Sequence, residues 1–431
     1  MSTAKAHSSR ITRSRGVFSR DSYERKCGRI FVCSLFLLVS CQRSVIAQSV
    51  TTAIPAGNAP IAVAVNPVTN KIYVPNFASF NVTVIDGATN ITTTVPVGSG
   101  PNGVAVNPRT NKIYVINENS YDVTVIDGAS NATSTVPAGL QPAAIAVNPV
   151  TNKIYVANGG DNTVTVIDGA SNTTTTLTFA MGSSPNSVAV NPVTNKIYVG
   201  NFGNGTVTVI DGATNATTKV AATVGASPNT LAVNPVTNKI YVANDKAAGA
   251  VTVIDGATNT TSTIAAGSAP YAVAVNSVTN KIYVTNFESG NVTVIDGASN
   301  STSTIATGAL PSALAINCIT NQIYVVADNV TVIDGASNST TTVAVATSPG
   351  TVGINPVTNK IYMTTGGSSY VTVIEGMTHV ATTVTPGGSP SAASVNPVTN
   401  KIYIANYDNA SVTVMDGAAN TDLPEFLYQV H

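Results

Sequence analysis

The sequence predicts an all-β fold, a single β-propeller of four-stranded blades closed on itself. Three observations carry this: a unit of about 41 residues that returns nine times, a composition of β-branched and turn-forming residues, and partial units at the two ends that complement each other. Charged residues are only 9% of the chain and Trp is absent, yet apolar residues reach 43%. Such a chain has neither the high charge of a disordered one nor the charged heptads of a coiled coil. Thr and Val favour pleated strands, whereas Asn, Gly and Pro punctuate turns.

The first full unit runs from Pro60 through Asn66-Pro67-Val68-Thr69-Asn70-Lys71-Ile72-Tyr73-Val74 to Asn81-Val82-Thr83-Val84-Ile85-Asp86-Gly87. Its tyrosine recurs as Tyr114, Tyr155, Tyr198, Tyr241, Tyr283, Tyr324, Tyr362 and Tyr403. Each unit holds four short runs, IAVAVN, KIYVPNF, NVTVIDG and ITTTVPV in the first, which is the strand content of one blade. Successive strand residues point to opposite faces, and in KIYV and VTVI both faces are apolar. A sheet of this kind must be covered on both sides, as a blade is by its neighbours. Small Ala and Val residues in the first run suit the crowded axis, and the Thr-rich fourth run suits the outer rim.

Residues 48–57 read as a fourth strand without the three that should precede it, and the ninth unit ends after Val412–Gly417 without a fourth. The N-terminal strand is therefore expected to complete the last blade and remove two exposed edges. That closure gives nine blades, one more than the four to eight typical of propellers. The expected organisation is a leader over residues 1–47, the propeller over 48–420 and a tail over 421–431.

The leader is basic, with nine of the chain's 20 Lys and Arg residues, and carries the apolar run Ile30–Val39. Ten residues are too few to span a bilayer as a helix and match a signal-peptide core. Cleavage after Ala47 is one expectation; lipidation at Cys41, within Leu38-Val39-Ser40-Cys41, is the other. Cleavage after Ala47 leaves Cys318 as the one cysteine, standing where other units have a turn proline, so no internal disulfide is expected. An exported chain follows: secreted, periplasmic or surface-attached, with no membrane span in the mature protein, and monomeric. After residue 47 there remain 11 basic and 18 acidic residues, a net charge of −7 that disfavours a polyanionic partner such as nucleic acid.

Tyr283-Val284-Thr285-Asn286, and the Tyr-Val-x-Asn of most other units, resemble the YVTN β-propeller repeat family over about residues 49–417. The resemblance implies the fold and an exported or cell-surface setting, and leaves the role open.

Chain direction assigns the loops to two faces. The Asn-Pro-Val-Thr-Asn-Lys turn and the turn after the third strand share one face, nearly identical in every unit. There Lys71 is expected beside Asp86, Lys112 beside Asp127, and so on round the ring, as cross-strand pairs. The second-to-third loops and the connections between blades share the other face, and these differ from unit to unit. They carry the candidate ligand-binding residues Phe77, Phe80, Tyr121, Phe202, Tyr271, Phe287, Tyr370 and Tyr407, aromatic rings on exposed loops that suit a protein or a glycan.

Chemistry is sparse. The nine innermost strands contain no Asp, Glu, His, Lys or Arg, and the histidines are His7, His379 and His431, so neither a catalytic set nor a histidine metal site is expected. The varied loops do hold Glu118, Asp122, Asp161, Asp245, Glu288 and Asp408, which could converge on Ca²⁺. Two functions remain: a binding scaffold using the varied face, or a lactonase-like hydrolase or lyase using loop carboxylates and a divalent ion.

Overall fold

The computed structural model describes residues 50–221, 227–245, 249–345, 349–356, 358–365 and 371–417, all within the unit Ile46–His431. The expected leader, with Ala47 and Cys41, and the expected tail lie outside the described residues. No helix among the described residues is long and apolar enough to cross a membrane.

Nine four-stranded antiparallel sheets form the blades of one propeller. Eight are built from consecutive strands, with blade 1 over residues 64–96, blade 2 over 101–137, blade 3 over 142–178 and blade 4 over 185–221. Blades 5 to 8 span 228–265, 270–306, 313–343 and 349–384. Blade 9 takes three strands from 390–416 and its outermost from Val50–Pro55, which pairs antiparallel with Ser411–Asp416. The expected closure is present: Ile54 lies opposite Val412 and is buried with Ile72, Val74 and Ile85 of blade 1 and Tyr403 of blade 9.

The two middle strands of each blade explain the apolar repeat. In Lys71–Asn76 every residue after the lysine is buried, and in Asn81–Asp86 the four between the end residues are. Their side chains pack alternately against the blades before and after, giving one apolar cluster per seam. Each cluster centres on a tyrosine: the nine from Tyr73 to Tyr403 are fully buried. Full burial of each Val or Ile contributes about 1.5–3 kcal/mol, and every seam buries several of them.

The uniform face joins the blades through two lattices that register alone does not reveal. Lys71 does lie opposite Asp86, as expected. Its Nζ, however, donates to the Gly128 carbonyl of the next blade at 2.5 Å. The same bond runs from Lys112 to Gly169, Lys153 to Gly212, Lys196 to Gly256, Lys239 to Gly297 and Lys281 to Gly335. It continues from Lys360 to Gly417 and closes the circle from Lys401 to Gly87. The four-carbon lysine stem is long enough to cross a seam. Asp86 is engaged: its Oδ1 accepts from the Ala88 and Thr89 amides and the Thr89 hydroxyl. A direct ion pair of the expected kind forms between Lys360 and Glu375, at 3.5 Å.

The second lattice links asparagines. Asn66 Nδ2 donates to Asn111 Oδ1 of the next blade at 2.9 Å, and equivalent bonds occur at all nine seams, ending with Asn396 to Asn70. Asn70 sits in left-handed backbone (φ 53°), a conformation Asn tolerates and β-branched residues resist. Its carbonyl accepts from the Gly87 amide, and a Cβ on Gly87 would come within 2.6 Å of that oxygen, so the turn requires glycine.

Candidate functional site

On the varied face each described second-to-third loop is tied to the connection that precedes its blade by backbone groups. Phe77 N donates to Ala59 O, Glu118 N to Gly100 O, Gly159 N to Gln141 O, Phe287 N to Ala269 O and Tyr407 N to Ser389 O. The carbonyl residues Ala59, Gln141, Ala269 and Ser389 adopt left-handed φ, which turns their oxygens toward the loop. Because these bonds are main-chain, they leave the loop side chains free to vary.

In seven blades a buried asparagine anchors the loop from beneath; blades 7 and 8 have Ala327 and Thr365 at that position. Asn76 Nδ2 donates to Asn81 Oδ1 at 2.7 Å and to Thr83 Oγ1 at 2.9 Å, and Asn117, Asn158, Asn201, Asn286 and Asn406 repeat the pattern. This asparagine is the last letter of Tyr-Val-x-Asn, so the motif's tyrosine fills the seam and its asparagine shapes the loop.

The candidate aromatics occupy this frame as follows. Phe80 is 48% exposed, Tyr407 43%, Tyr121 42% and Tyr271 39%. Phe77, Phe202 and Phe287 are half-buried. Tyr370 lies outside the described residues. Tyr271 and Phe287 of blade 6 come together, with ring centroids 5.5 Å apart and planes tilted by 35°. Of the other described rings, Phe77 and Phe80 share the blade 1 loop, while Tyr121, Phe202 and Tyr407 belong to blades 2, 4 and 9. Phe80 and Tyr121 have φ of 53° and 57°, at a turn position that blades 4 and 6 fill with Gly205 and Gly290. An aromatic residue in that backbone region costs roughly 1–2 kcal/mol.

Four of the six loop acids, Glu118, Asp122, Asp161 and Asp408, accept hydrogen bonds that hold the frame. Asp122 Oδ1 accepts from Asn117 Nδ2 at 2.6 Å, and Glu118 Oε2 from Asn102 Nδ2 at 3.1 Å. Asp161 accepts from the Leu140 amide and the Thr163 hydroxyl, and Asp408 from the Ser389 hydroxyl. Among the described residues no three His, Cys, Asp or Glu side chains gather closely enough to hold a metal ion. Cys318 is exposed in the inner turn of blade 7.

Perturbed titration also traces the frame. Burial, with the Asp127 charge of the next blade as a second cause, pushes the Tyr73 phenol up to about 12, and Tyr114, Tyr155, Tyr198, Tyr241, Tyr283 and Tyr403 follow the same rule with their own neighbouring aspartates. Tyr324 rises to about 12 through burial, and its hydroxyl donates to Gln322 Oε1 at 2.7 Å. Gln322 replaces the lysine in blade 7, and its Nε2 meets His379 Nε2 of blade 8 at 3.2 Å. The turn carboxyls of Asp86, Asp127, Asp168, Asp211, Asp255, Asp296 and Asp334 fall below the usual range, chiefly through the amide bond from Thr89 or its counterpart and less through a nearby lysine.

Sequence reasoning missed the inter-blade lattices and a cavity of about 150 Å³ between blades 3 and 4. The available signal for the cavity was the 43-residue interval from Tyr155 to Tyr198, two residues longer than the intervals before it.

Comparison with known proteins agrees on the fold. Residues 61–218, essentially blades 1 to 4, match the family model described as lactonase, 7-bladed beta-propeller. No curated protein matches the chain. Among solved structures, hydrazine synthase of Kuenenia stuttgartiensis is similar with a TM-score of 0.50 and 18% identity, over 85% of this chain and 98% of that one. Dihydro-heme d1 dehydrogenase NirN in complex with DHE is similar with a TM-score of 0.59 and 14% identity, over 74% of this chain and 73% of that one. At these identities the likeness concerns the propeller architecture.

Proposed function

We propose that this chain is an exported propeller of the YVTN-repeat type that binds a protein or glycan at the cell surface through its varied face. The observation that carries this reading is the exposure of aromatic rings on the face whose loops differ, two of them on backbone better suited to glycine. Strain kept at a surface position is a mark of function, and exposed aromatics are enriched where proteins bind. The uniform lattice of the opposite face supports the same division, since it holds the ring without calling on the loops.

The test is a glycan array and a panel of purified cell-surface proteins, probed with the full chain and with a Phe80→Asn/Tyr121→Asn/Tyr271→Ser/Tyr407→Asn variant. Binding that the variant loses, with its melting curve retained, supports the reading. Binding unchanged by the four substitutions refutes it, as does failure to bind either panel. Mass measurement of the mature N-terminus tests the export route. A chain beginning at Gln48 supports cleavage after Ala47, a lipidated Cys41 supports the surface anchor, and an intact leader refutes export.

A second reading, lactone hydrolysis, is favoured by the family match over residues 61–218. It requires a loop carboxylate that acts on substrate. Turnover of lactones that disappears with Asp161→Asn or Glu118→Gln would support it. Absence of turnover, with or without added Ca²⁺, would exclude it.

A further inference from the structure

We propose that the seam between blades 3 and 4 holds a subsite for one sugar ring bearing a carboxylate, of the hexuronic-acid class, separate from the loop aromatics.

At the seams leading into blades 1, 2 and 6 a glycine closes the space above the buried asparagine. A Cβ on Gly57 would lie 2.9 Å from Asn76 Cβ, one on Gly98 would lie 2.6 Å from Asn117 Nδ2, and one on Gly267 would lie 2.9 Å from Asn286 Cβ. The amides of these glycines each point at a threonine hydroxyl at 3.3 Å. The connection from blade 3 to blade 4 is built differently. It runs through Phe179, Ala180, Met181, Gly182, Ser183 and Ser184, and a Cβ on Gly182 would meet nothing within 4 Å. With no glycine seated over Asn201, the seam opens into the cavity of about 150 Å³, room for several water molecules or one small ring.

Its lining is that of a polar, shaped site. Asn201 is 1% exposed and gives both amide protons to Thr206 and Thr208, at 2.9 Å each, while its Oδ1 has no partner. The same oxygen is unpartnered in Asn76, Asn117, Asn158, Asn244, Asn286 and Asn406, so what sets this seam apart is its open space and the exposed hydroxyls of Thr178 and Thr217 at its mouth. Phe179 is half-buried at the edge and offers an aromatic surface to the C–H face of a ring. Lys219 supplies the cation: it lies opposite Thr208, where the corresponding strands carry Thr94, Thr135, Thr176, Thr263 and Thr304. In a body of net charge −7, a lysine at the cavity mouth favours an anion locally. Threonine hydroxyls for a ring hydroxyl, an apolar surface for a ring face and a cation for a carboxylate together match a hexuronic acid.

The test is calorimetric titration of the full chain with galacturonic acid, glucuronic acid, galactose and glucose. Lys219→Thr restores the residue of the other strands, and Thr178→Trp places a ring over the cavity from an exposed strand position. Both are surface changes expected to leave the fold intact, which melting curves verify. The expected result is saturable one-to-one binding of a sugar acid, at least tenfold weaker in Lys219→Thr and lost in Thr178→Trp. No saturable binding of any of the four sugars overturns the subsite. Equal affinity for galactose and galacturonic acid, unchanged by Lys219→Thr, overturns the carboxylate assignment. Binding that survives Thr178→Trp but is lost with the four loop aromatics overturns this site and leaves the proposed function standing.

Discussion

Replacing Asn396 with alanine should destabilise the ring as much as the same change at Asn191, although the two asparagines serve different kinds of seam. Asn191 joins blades 4 and 5, which are consecutive in the chain, and Asn396 joins blade 9 to blade 1 across 326 residues. Their local geometry is the same. Each donates one bond across the seam, at 2.9 Å for Asn191 and 2.8 Å for Asn396. Each also accepts two turn amides, at 3.1 and 3.4 Å. A net value of about 1 kcal/mol per good bond, less for the longer one, gives roughly 2–3 kcal/mol for either substitution. At about 2.1 cal/mol/K of unfolding entropy per residue, a body of this size should lose on the order of 3 °C of melting temperature. Scanning calorimetry of the two variants beside the parent measures this. If the seam between blades 9 and 1 were open, Asn396 would lie at a free edge and its loss would fall within about 0.5 kcal/mol of zero. A shift for Asn396→Ala below a third of that for Asn191→Ala refutes the closed ring.

Deleting residues 48–55 should remove the burial of Ile54 and expose the edge of Ser411–Asp416, so the variant should melt lower and self-associate by light scattering; a monomer of unchanged melting temperature contradicts the closure. Eight tyrosines with phenols pushed up to about 12 hold their protons more tightly folded than unfolded, so the stability they contribute is complete below pH 10 and is lost as pH rises through 12, at about 1.4 kcal/mol per pH unit for each. Tyrosinate absorbance and circular dichroism should therefore change together in one steep alkaline step, and gradual titration near pH 10 with the fold retained would contradict it. The exposed turn aspartates, lowered by their amide bonds, act in the opposite direction: their contribution is present above pH 4 and fades as pH falls below it. Phe80→Gly should leave stability within about 1 kcal/mol of the parent, since relief of left-handed strain offsets the lost half-buried ring; a loss above 2 kcal/mol would show that Phe80 is a packing residue.

The blade was legible because its signals are local. Two apolar faces in Lys-Ile-Tyr-Val and Val-Thr-Val-Ile demand neighbours on both sides, and the unmatched runs at residues 48–57 and 412–417 imply each other. The lysines show where local reading stops. Strand register correctly sets Lys71 opposite Asp86, yet the ammonium crosses the seam to Gly128, a choice that depends on a blade 57 residues away. The asparagine lattice left one hint: Asn66 and Asn70 recur together in every unit, although one asparagine would serve to cap the turn. For the candidate site, loop direction places the aromatics on the varied face, but which rings meet depends on the spacing of individual loops, so the contact of Tyr271 with Phe287 could not be read. The cavity at blades 3 and 4 arises from two added residues, whose effect on a glycine plug is visible only once the other seams are known.

The division of labour between the faces has an energetic basis that bears directly on function. On the uniform face the inter-blade bonds use side chains, Lys71 to Gly128 and Asn66 to Asn111, so a substitution there breaks a seam. On the varied face the loops are fastened by main-chain bonds such as Phe77 to Ala59 and Glu118 to Gly100, which any residue except proline supplies. Loop side chains can then change at little cost in stability while the buried asparagine beneath holds the loop in place. Against that permissive background, a residue that does carry a cost stands out. Phe80 and Tyr121 occupy backbone that suits glycine, and Lys219 interrupts a file of threonines beside an open cavity. Folding does not call for these choices, and it is on them that the proposed recognition by the varied face rests.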